Sequence, residues 1–341
     1  MKIILDAMGG DLAPQAPVLG ALEANRLWNA QVTLVGKAEE ILGVLKAQGM
    51  ENLPQGVEIM HADDVVDMHD DPAAAVRTRK NSSMMVGLRM LSEGAGDAFI
   101  SAGSTGALLS GATLIVKRVK GIRRAAMGPA MPNKAGGKTL LLDCGANAEC
   151  TPEFLLQFGL VGSLYAKKTL GIENPRVGLL NIGTEDTKGT PLQKEAYKLL
   201  QNAHEKGLIH FIGNIEGRDA LMGQVDVVVC DGFSGNVLLK SIEGTAGFMG
   251  SLMKHKIFKR NIFSVLGYLL CKPGVNEVMK MMDYREVGGT QFLGIRKPVI
   301  KAHGASDALA FRNAVKQAQD AAKEDISGEL ELALAAIGEE K

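Results

Sequence analysis

The sequence predicts an α/β protein of three layers, with helices on both faces of a mostly parallel sheet. Three observations carry that expectation. Short β-branched runs of strand length alternate with helix-length stretches, the pattern of βαβ units. Glycine-rich turns repeatedly follow a strand and open a helix, as at the carboxyl edge of an α/β sheet. The 341 residues are 46% hydrophobic with 41 glycines, enough to bury a large core as one unit or two coupled lobes. Residues 1–341 read as one catalytic domain, carrying a helical hairpin over residues 245–285.

The elements follow in order. Residues 2–6 form a first strand, and a helix covers 18–27 after Pro14. Strand 31–35, helix 38–48 and strand 57–61 come next. Asp70 or Asp71 is placed to cap a helix whose first position is Pro72. His61, Asp63, Asp64 and His69 lie close in sequence but lack metal-motif spacing, so capping is favoured and no metal is expected. Strands are predicted at 97–101, 126–131, 139–144, 176–181, 209–212 and 225–230, with helices at 152–169 and 191–205. Strand 299–300 precedes a C-terminal helix that becomes acidic from Glu324.

The turns hold the candidate chemistry. Asp6, Gly9, Gly10 and Asp11 follow the first strand. Gly103, Ser104 and Thr105 follow strand 97–101, and Asn147 follows strand 139–144. Thr184, Glu185 and Lys188 lie after strand 176–181; Asp231, Ser234, Gly235 and Asn236 lie after 225–230; His303 follows the last strand. One such turn alone is as well explained by tight packing as by ligand binding, but the repetition favours one polar cleft along the sheet edge. Ser82 stands beside Arg77, Arg79 and Lys80, where hydroxyl and cations could hold a phosphate; a solvated helix face explains the cluster equally well. Residues 232–236 (GFSGN) are not a nucleophile elbow, because asparagine replaces the last glycine. No Ser-His-Asp order or Cys-His pair occurs in the turns, so a substrate that brings its own nucleophile fits best.

Lys+Arg and Asp+Glu balance at 38 each, which gives no global field for nucleic acid. Cys144, Cys150, Cys230 and Cys271 show no C-x-x-C spacing and read as reduced residues of a cytosolic protein. Met1-Lys2 leads straight into a strand, with no signal-peptide pattern, and no apolar run reaches transmembrane length. Residues 245–271 are helical in pattern, Pro273-Gly274 is expected to turn the chain, and 275–282 to return as a helix. The expected tip places Ile257, Phe258, Ile262 and Phe263 among Lys259 and Arg260, as in an interfacial helix; a buried dimer face is the competing reading.

Seven segments in order, DAMGGD (6–11), SAGSTGA (101–107), LLDCGANAE (141–149), LNIGTEDTKG (180–189), GNIEGRD (213–219), DGFSGNVLLKSIEG (231–244) and KPVIKAHGASDA (297–308), resemble the bacterial phosphate acyltransferases of phospholipid synthesis. The match spans essentially the whole chain. The resemblance implies transfer of a fatty acyl group from acyl carrier protein to inorganic phosphate, giving acyl phosphate for glycerol-3-phosphate acylation. It implies an isocitrate/isopropylmalate-dehydrogenase-like or phosphotransacetylase-like fold, a homodimer, no cofactor, and peripheral attachment to an anionic membrane surface on its cytoplasmic face. Contact with the downstream glycerol-3-phosphate acyltransferase is left open. Lys188 and Asn236 match the motif lysine and asparagine, with Lys188 orienting phosphate and the Asn236 amide donating to the thioester oxygen, helped by backbone N–H groups around Gly235. Ser104 stands where asparagine is common, and Ala305 where serine is common. A nicotinamide-dependent dehydrogenase is the runner-up, but no G-x-G-x-x-G follows a strand. A membrane or carrier adaptor would suit the basic hairpin but has no need of repeated polar strand-end turns.

Overall fold

In a computed structural model, which describes residues 1–281, 283–324 and 326–338, the α/β class holds. The strands are β1 (Lys2–Asp6), β2 (Gln31–Gly36), β3 (Val57–His61), β4 (Ala98–Ser101), β5 (Ala126–Gly128), β6 (Ala130–Pro132), β7 (Lys138–Leu142), β8 (Arg176–Leu180), β9 (His210–Ile215), β10 (Val227–Val229), β11 (Gly289–Leu293) and β12 (Val299–Ala302). The helices are α1 (Gln15–Trp28), α2 (Ala38–Ala47), α3 (Pro72–Thr78), α4 (Ser83–Ser92), α5 (Thr105–Gly111), α6 (Pro152–Thr169), α7 (Pro191–Glu205), α8 (Gly232–Leu252), α9 (Ile262–Met281), α10 (Tyr284–Val287), α11 (Ala308–Lys323) and α12 (Ser327–Gly338).

The strands order as β3-β2-β1-β4-β12-β11-β5 and β6-β7-β10-β8-β9. β1 to β4 and β12 run parallel, and β7 to β10 run parallel. Segment 126–132 joins the two sets. β5 pairs antiparallel with β11, β6 antiparallel with β7, and Cys144 N–H donates to Met127 O across the break at Pro129. Since β11 is antiparallel to β12, β7 to β10 run opposite to β1, β4 and β12. The single row of turns expected along one sheet edge is therefore two rows, at the carboxyl ends of oppositely running strands.

Several boundaries differ from expectation. Pro129 splits the expected strand 126–131 into β5 and β6. β11, whose sequence GTQFL begins with glycine and holds a central glutamine, gave no strand signal. β9 runs on through Gly213 and Asn214. α8 begins at Gly232, so Ser234 to Asn236 lie in its first turn. Asp71 caps α3 through the Ala74 N–H at 2.7 Å, with Pro72 at its first position.

The core is built by strands covered on both faces. Val227, Val228 and Val229 are fully buried, as are Ile3, Ile4 and Leu5. α8 then leaves this core: only Gly232 and Gly235 of its residues are buried. The chain passes through a π-helical turn, Met253–Phe258, reverses at 259–261, and returns as α9, which has no buried residue. The expected turn at Pro273-Gly274 is not there; Pro273 lies inside α9. Met282, the expected end of the return helix, lies outside the described residues.

Candidate functional site

The first row gathers the ends of β1, β4 and β12. The buried Asp6 carboxylate accepts from Ser101 Oγ at 2.7 Å and from the Met8 N–H at 3.1 Å. Burial raises its pKa, against the Ser101 and Ser83 hydroxyls and the Met8 and Gly9 N–H groups, which lower it. The Gly103 N–H donates to Ser101 Oγ (3.0 Å), and the Asp11 N–H to Gly304 O (2.8 Å). Gly10 has φ of +101°, and a Cβ there would lie 3.0 Å from Gly304 O, so glycine is needed on both counts. The Lys301 ammonium donates to the Ala102 and Ala302 carbonyls. Burial pushes its pKa down to about 8, while Asp11 and Asp6 pull it up. Ser104 is buried at the N-cap of α5 and Thr105 is the first helical residue; Ser104 makes no side-chain cap bond. His303 Nδ1 accepts from the Ala305 N–H at 3.2 Å.

Ser82 belongs to neither row. It is buried, and its hydroxyl caps α4 through the Met85 N–H at 3.3 Å. Nor is Arg79 free for a phosphate, because Asp70 (3.0 Å) and Asp64 (3.3 Å) hold it.

The second row gathers the ends of β7, β10 and β8, with Val229 of β10 paired to Leu142 and to Leu179 on its two sides. Asp143 organises it. One oxygen accepts from the Met127 N–H (2.8 Å) and the Ala146 N–H (3.3 Å), the other from the Asn147 N–H (2.6 Å) and Asn147 Nδ2 (3.0 Å). Burial raises its pKa against those same donors. Asn147 is thereby fixed, and its carbonyl accepts the Gly232 N–H at 2.8 Å.

The start of α8 seats directly on this turn. Asp231 caps it, accepting from the Ser234 N–H and Oγ at 2.8 Å each. A Cβ on Gly235 would stand 1.9 Å from Asp143 O, so only glycine allows the approach. The Gly235 N–H already donates to Asp231 O at 3.0 Å. This removes the expected backbone donors at Gly232, Ser234 and Gly235. Within the first turn, the Phe233 N–H is left without a partner among the described residues.

Asn236 is exposed, and its amide has no hydrogen-bond partner among the described residues; Gly145 lies beside it, a Cβ there falling 3.7 Å from the side chain. In the adjacent turn after β8, Asn214 Nδ2 donates to Glu185 O (2.8 Å) and Asn181 Nδ2 to Lys188 O (3.2 Å). These bonds fix the loop while Thr184, Glu185 and Lys188 remain exposed, and the Lys188 ammonium has no partner among the described residues. The second row therefore presents a free ammonium, a free carboxamide and a helix N-terminus from neighbouring strand ends. Such a set can hold an anion and stabilise a developing oxyanion.

Sequence reasoning missed Ser101, Lys301 and Asp143. Each is a polar residue closing or interrupting a buried strand, and that oddity was the available signal.

On the hairpin, Ile257, Ile262 and Phe263 are exposed beside Lys259 and Arg260. Phe258 turns inward, its ring 4.7 Å from that of Tyr268. Among the described residues no helix is long and apolar enough to cross a membrane.

Comparison with known proteins identifies relatives over the whole chain. The fatty acid synthesis protein family matches residues 1–328. The phosphate acyltransferase of Thermoanaerobacterium thermosaccharolyticum is 43% identical over 340 residues, covering 100% of this chain and 98% of the relative. That of Caldanaerobacter subterraneus subsp. tengcongensis is 44% identical over 341 residues, covering 100% and 99%. Among solved structures, a phosphotransacetylase from Streptococcus pyogenes superposes with a TM-score of 0.63 at 20% identity, covering 95% of this chain and 94% of its own. A 4-hydroxythreonine-4-phosphate dehydrogenase from Klebsiella pneumoniae gives 0.56 at 12% identity, covering 95% and 98%, so this fold is shared by proteins of different chemistry. By its full-length match and its close relatives, the chain belongs to the fatty acid synthesis protein family.

Proposed function

We propose that the protein transfers a fatty acyl group from acyl carrier protein to inorganic phosphate. The observation that carries this reading is the placement of Lys188 and Asn236 in the turns after neighbouring strands. Both are exposed, both lack a partner among the described residues, and they follow the neighbouring parallel strands β8 and β10. Relatives more than 40% identical over the full chain carry the name phosphate acyltransferase. Phosphate, held by the Lys188 ammonium, attacks the thioester carbonyl carbon. The C–O bond forms, the carbonyl oxygen becomes an oxyanion, and the Asn236 amide with the Phe233 N–H donates to it. The C–S bond then breaks, acyl phosphate leaves, and the carrier thiolate takes a proton from water. The thiolate leaves without protonation, so this step needs no general acid. The test is to incubate purified protein with acyl carrier protein charged with a long-chain acyl group and with phosphate. Acyl phosphate trapped as a hydroxamate supports the reading; release of free fatty acid without it opposes it.

The hairpin serves the product. A helix with exposed Ile262, Phe263, Leu266, Leu269, Leu270 and Val278 and no buried residue needs a partner surface. The base of α8 and α9 meets a second copy of the chain, and the tip around Ile257, Ile262 and Phe263 meets an anionic membrane from its cytoplasmic side. A long-chain acyl phosphate is then released where it is soluble, for glycerol-3-phosphate acylation. Lys254, Lys256, Lys259 and Arg260 supply the electrostatic part, at roughly 1 kcal/mol for each cation near an anionic surface.

A further inference from the structure

Residues 117–124 read KRVKGIRR, five cations and no acid in eight positions. They form the segment between α5's π-helical extension, Ala112–Val116, and β5, and neither the site nor the hairpin uses them. Lys117, Lys120, Arg123 and Arg124 are exposed. The Lys117, Lys120 and Arg123 side chains have no acidic partner among the described residues. Lys117 sits at φ of +75°, in the region that favours glycine, so a lysine is held where a glycine would be unstrained. Arg296 adds a sixth cation, its Nε donating to Arg118 O at 3.2 Å.

Beside these cations runs a groove of about 670 Å³ between α6 and α12. Lys120 and Arg123 form one lip, Leu156, Leu160, Leu332 and Leu334 give an apolar floor and wall, and the acids lining it are Glu153 and Glu331. A groove between two helices, apolar within and cationic at one lip, matches a protruding helix with an acidic face. A flat lipid surface would not fill it.

The patch is joined to the second row by direct contacts. The Arg124 guanidinium lies 5.9 Å from the Phe154 ring centroid, in the first turn of α6. Ala125 O accepts from Asn147 Nδ2 at 2.8 Å, and Asn147 O accepts the Gly232 N–H that opens α8. The segment that carries the cations is thus linked through Asn147 to the turn that carries Asn236.

We propose that segment 117–124, with the groove between α6 and α12, is the docking surface for an acidic helical protein, the carrier that delivers the acyl thioester. This rests on the transfer reading above. The test separates the two by using different readouts. Binding of fluorescently labelled holo-carrier protein is measured by anisotropy for wild type and for Lys120→Glu plus Arg123→Glu, at ~0.05 M and ~0.3 M salt. Turnover of an acyl-pantetheine thioester with phosphate is measured in parallel, since that substrate lacks the protein surface. The expected result is binding weakened at least about tenfold at low salt, a flattened salt dependence, and unchanged acyl-pantetheine turnover and melting temperature. Should the reversal destabilise the fold, Lys120→Ala plus Arg123→Ala is expected to give a smaller loss in the same direction. Equal carrier binding by folded variant and wild type overturns the proposal. So does a variant that keeps the carrier but loses phosphatidylglycerol vesicles, which would assign the patch to lipid. Failure of the wild type to make acyl phosphate, with carrier binding still sensitive to the reversal, would instead sink the transfer reading alone.

Discussion

Replacing Gly235 with alanine tests how the site is assembled. The added Cβ would lie 1.9 Å from Asp143 O, 2.7 Å from Cys230 Sγ and 3.1 Å from Asp143 C. That carbonyl cannot yield. It already accepts the Cys230 thiol (3.4 Å), its residue is laced to β10 by Asp143 N–H to Cys230 O (3.0 Å), and its carboxylate is pinned by three backbone N–H groups and the Asn147 amide. A relaxed carbon contact needs roughly 3.5 Å, so α8 must lift by more than about 1 Å. Overpacking of this kind costs about 1–3 kcal/mol or more. The next residue is Asn236, and a misplacement of about 1 Å at a reacting group costs on the order of 10² in rate. Gly244 on the same helix is the control: nothing lies within 4 Å of a Cβ there. Gly244→Ala should be neutral or stabilising by about 0.5–1 kcal/mol. Thermal melts and phosphate-dependent turnover of both variants give the comparison. A Gly235→Ala protein with wild-type stability and turnover would refute the seating of α8 on Asp143.

Further outcomes are expected. An unfolded lysine keeps its proton to about pH 10.4, whereas half-buried Lys301 loses it near pH 8, so stability rises as pH climbs through that window. The rise is up to about 3 kcal/mol, and Lys301→Met should remove it; identical pH–stability curves for both proteins would refute the burial argument. Ile257→Glu with Phe263→Glu should abolish sedimentation with anionic vesicles while sparing turnover of soluble substrate, and wild-type sedimentation by the double variant would release the tip from that role. A chelator should leave turnover unchanged, since in the proposed transfer phosphate brings its own charge and the leaving thiolate needs no metal; activity lost to chelator and restored by a divalent ion would contradict this.

Much of the fold was legible because its strands are β-branched runs of the right length, as at Val227 to Val229. Direction was not legible. An apolar run looks the same up or down, so it takes the antiparallel pairings of β12 with β11, β11 with β5 and β6 with β7 to reveal that the halves run oppositely. Pro273-Gly274 predicts a turn from sequence, yet the proline lies inside α9, a helix with no buried residue, and α9 continues through it. The helix start at Gly232 was obscured by its glycines. They are there because the Asn147 and Asp143 backbones come too close for any side chain, not because the chain is loose. For the site, Lys188 and Asn236 stood out as a cation and an amide in strand-end turns. The buried partners that fix those turns, Asp143 foremost, stay hidden in sequence because a carboxylate at a strand end reads equally as a cap or a catalyst.

The most direct test of the division of labour is steady-state kinetics with phosphate varied at saturating acyl-loaded carrier protein. If Lys188 holds phosphate and Asn236 serves the oxyanion, Lys188→Ala raises the KM for phosphate as well as slowing turnover. Asn236→Ala lowers kcat by about 10²–10³ and leaves the phosphate KM near wild type. Wild-type kinetics in either folded variant, or a phosphate KM that moves with Asn236 and not with Lys188, would contradict the account.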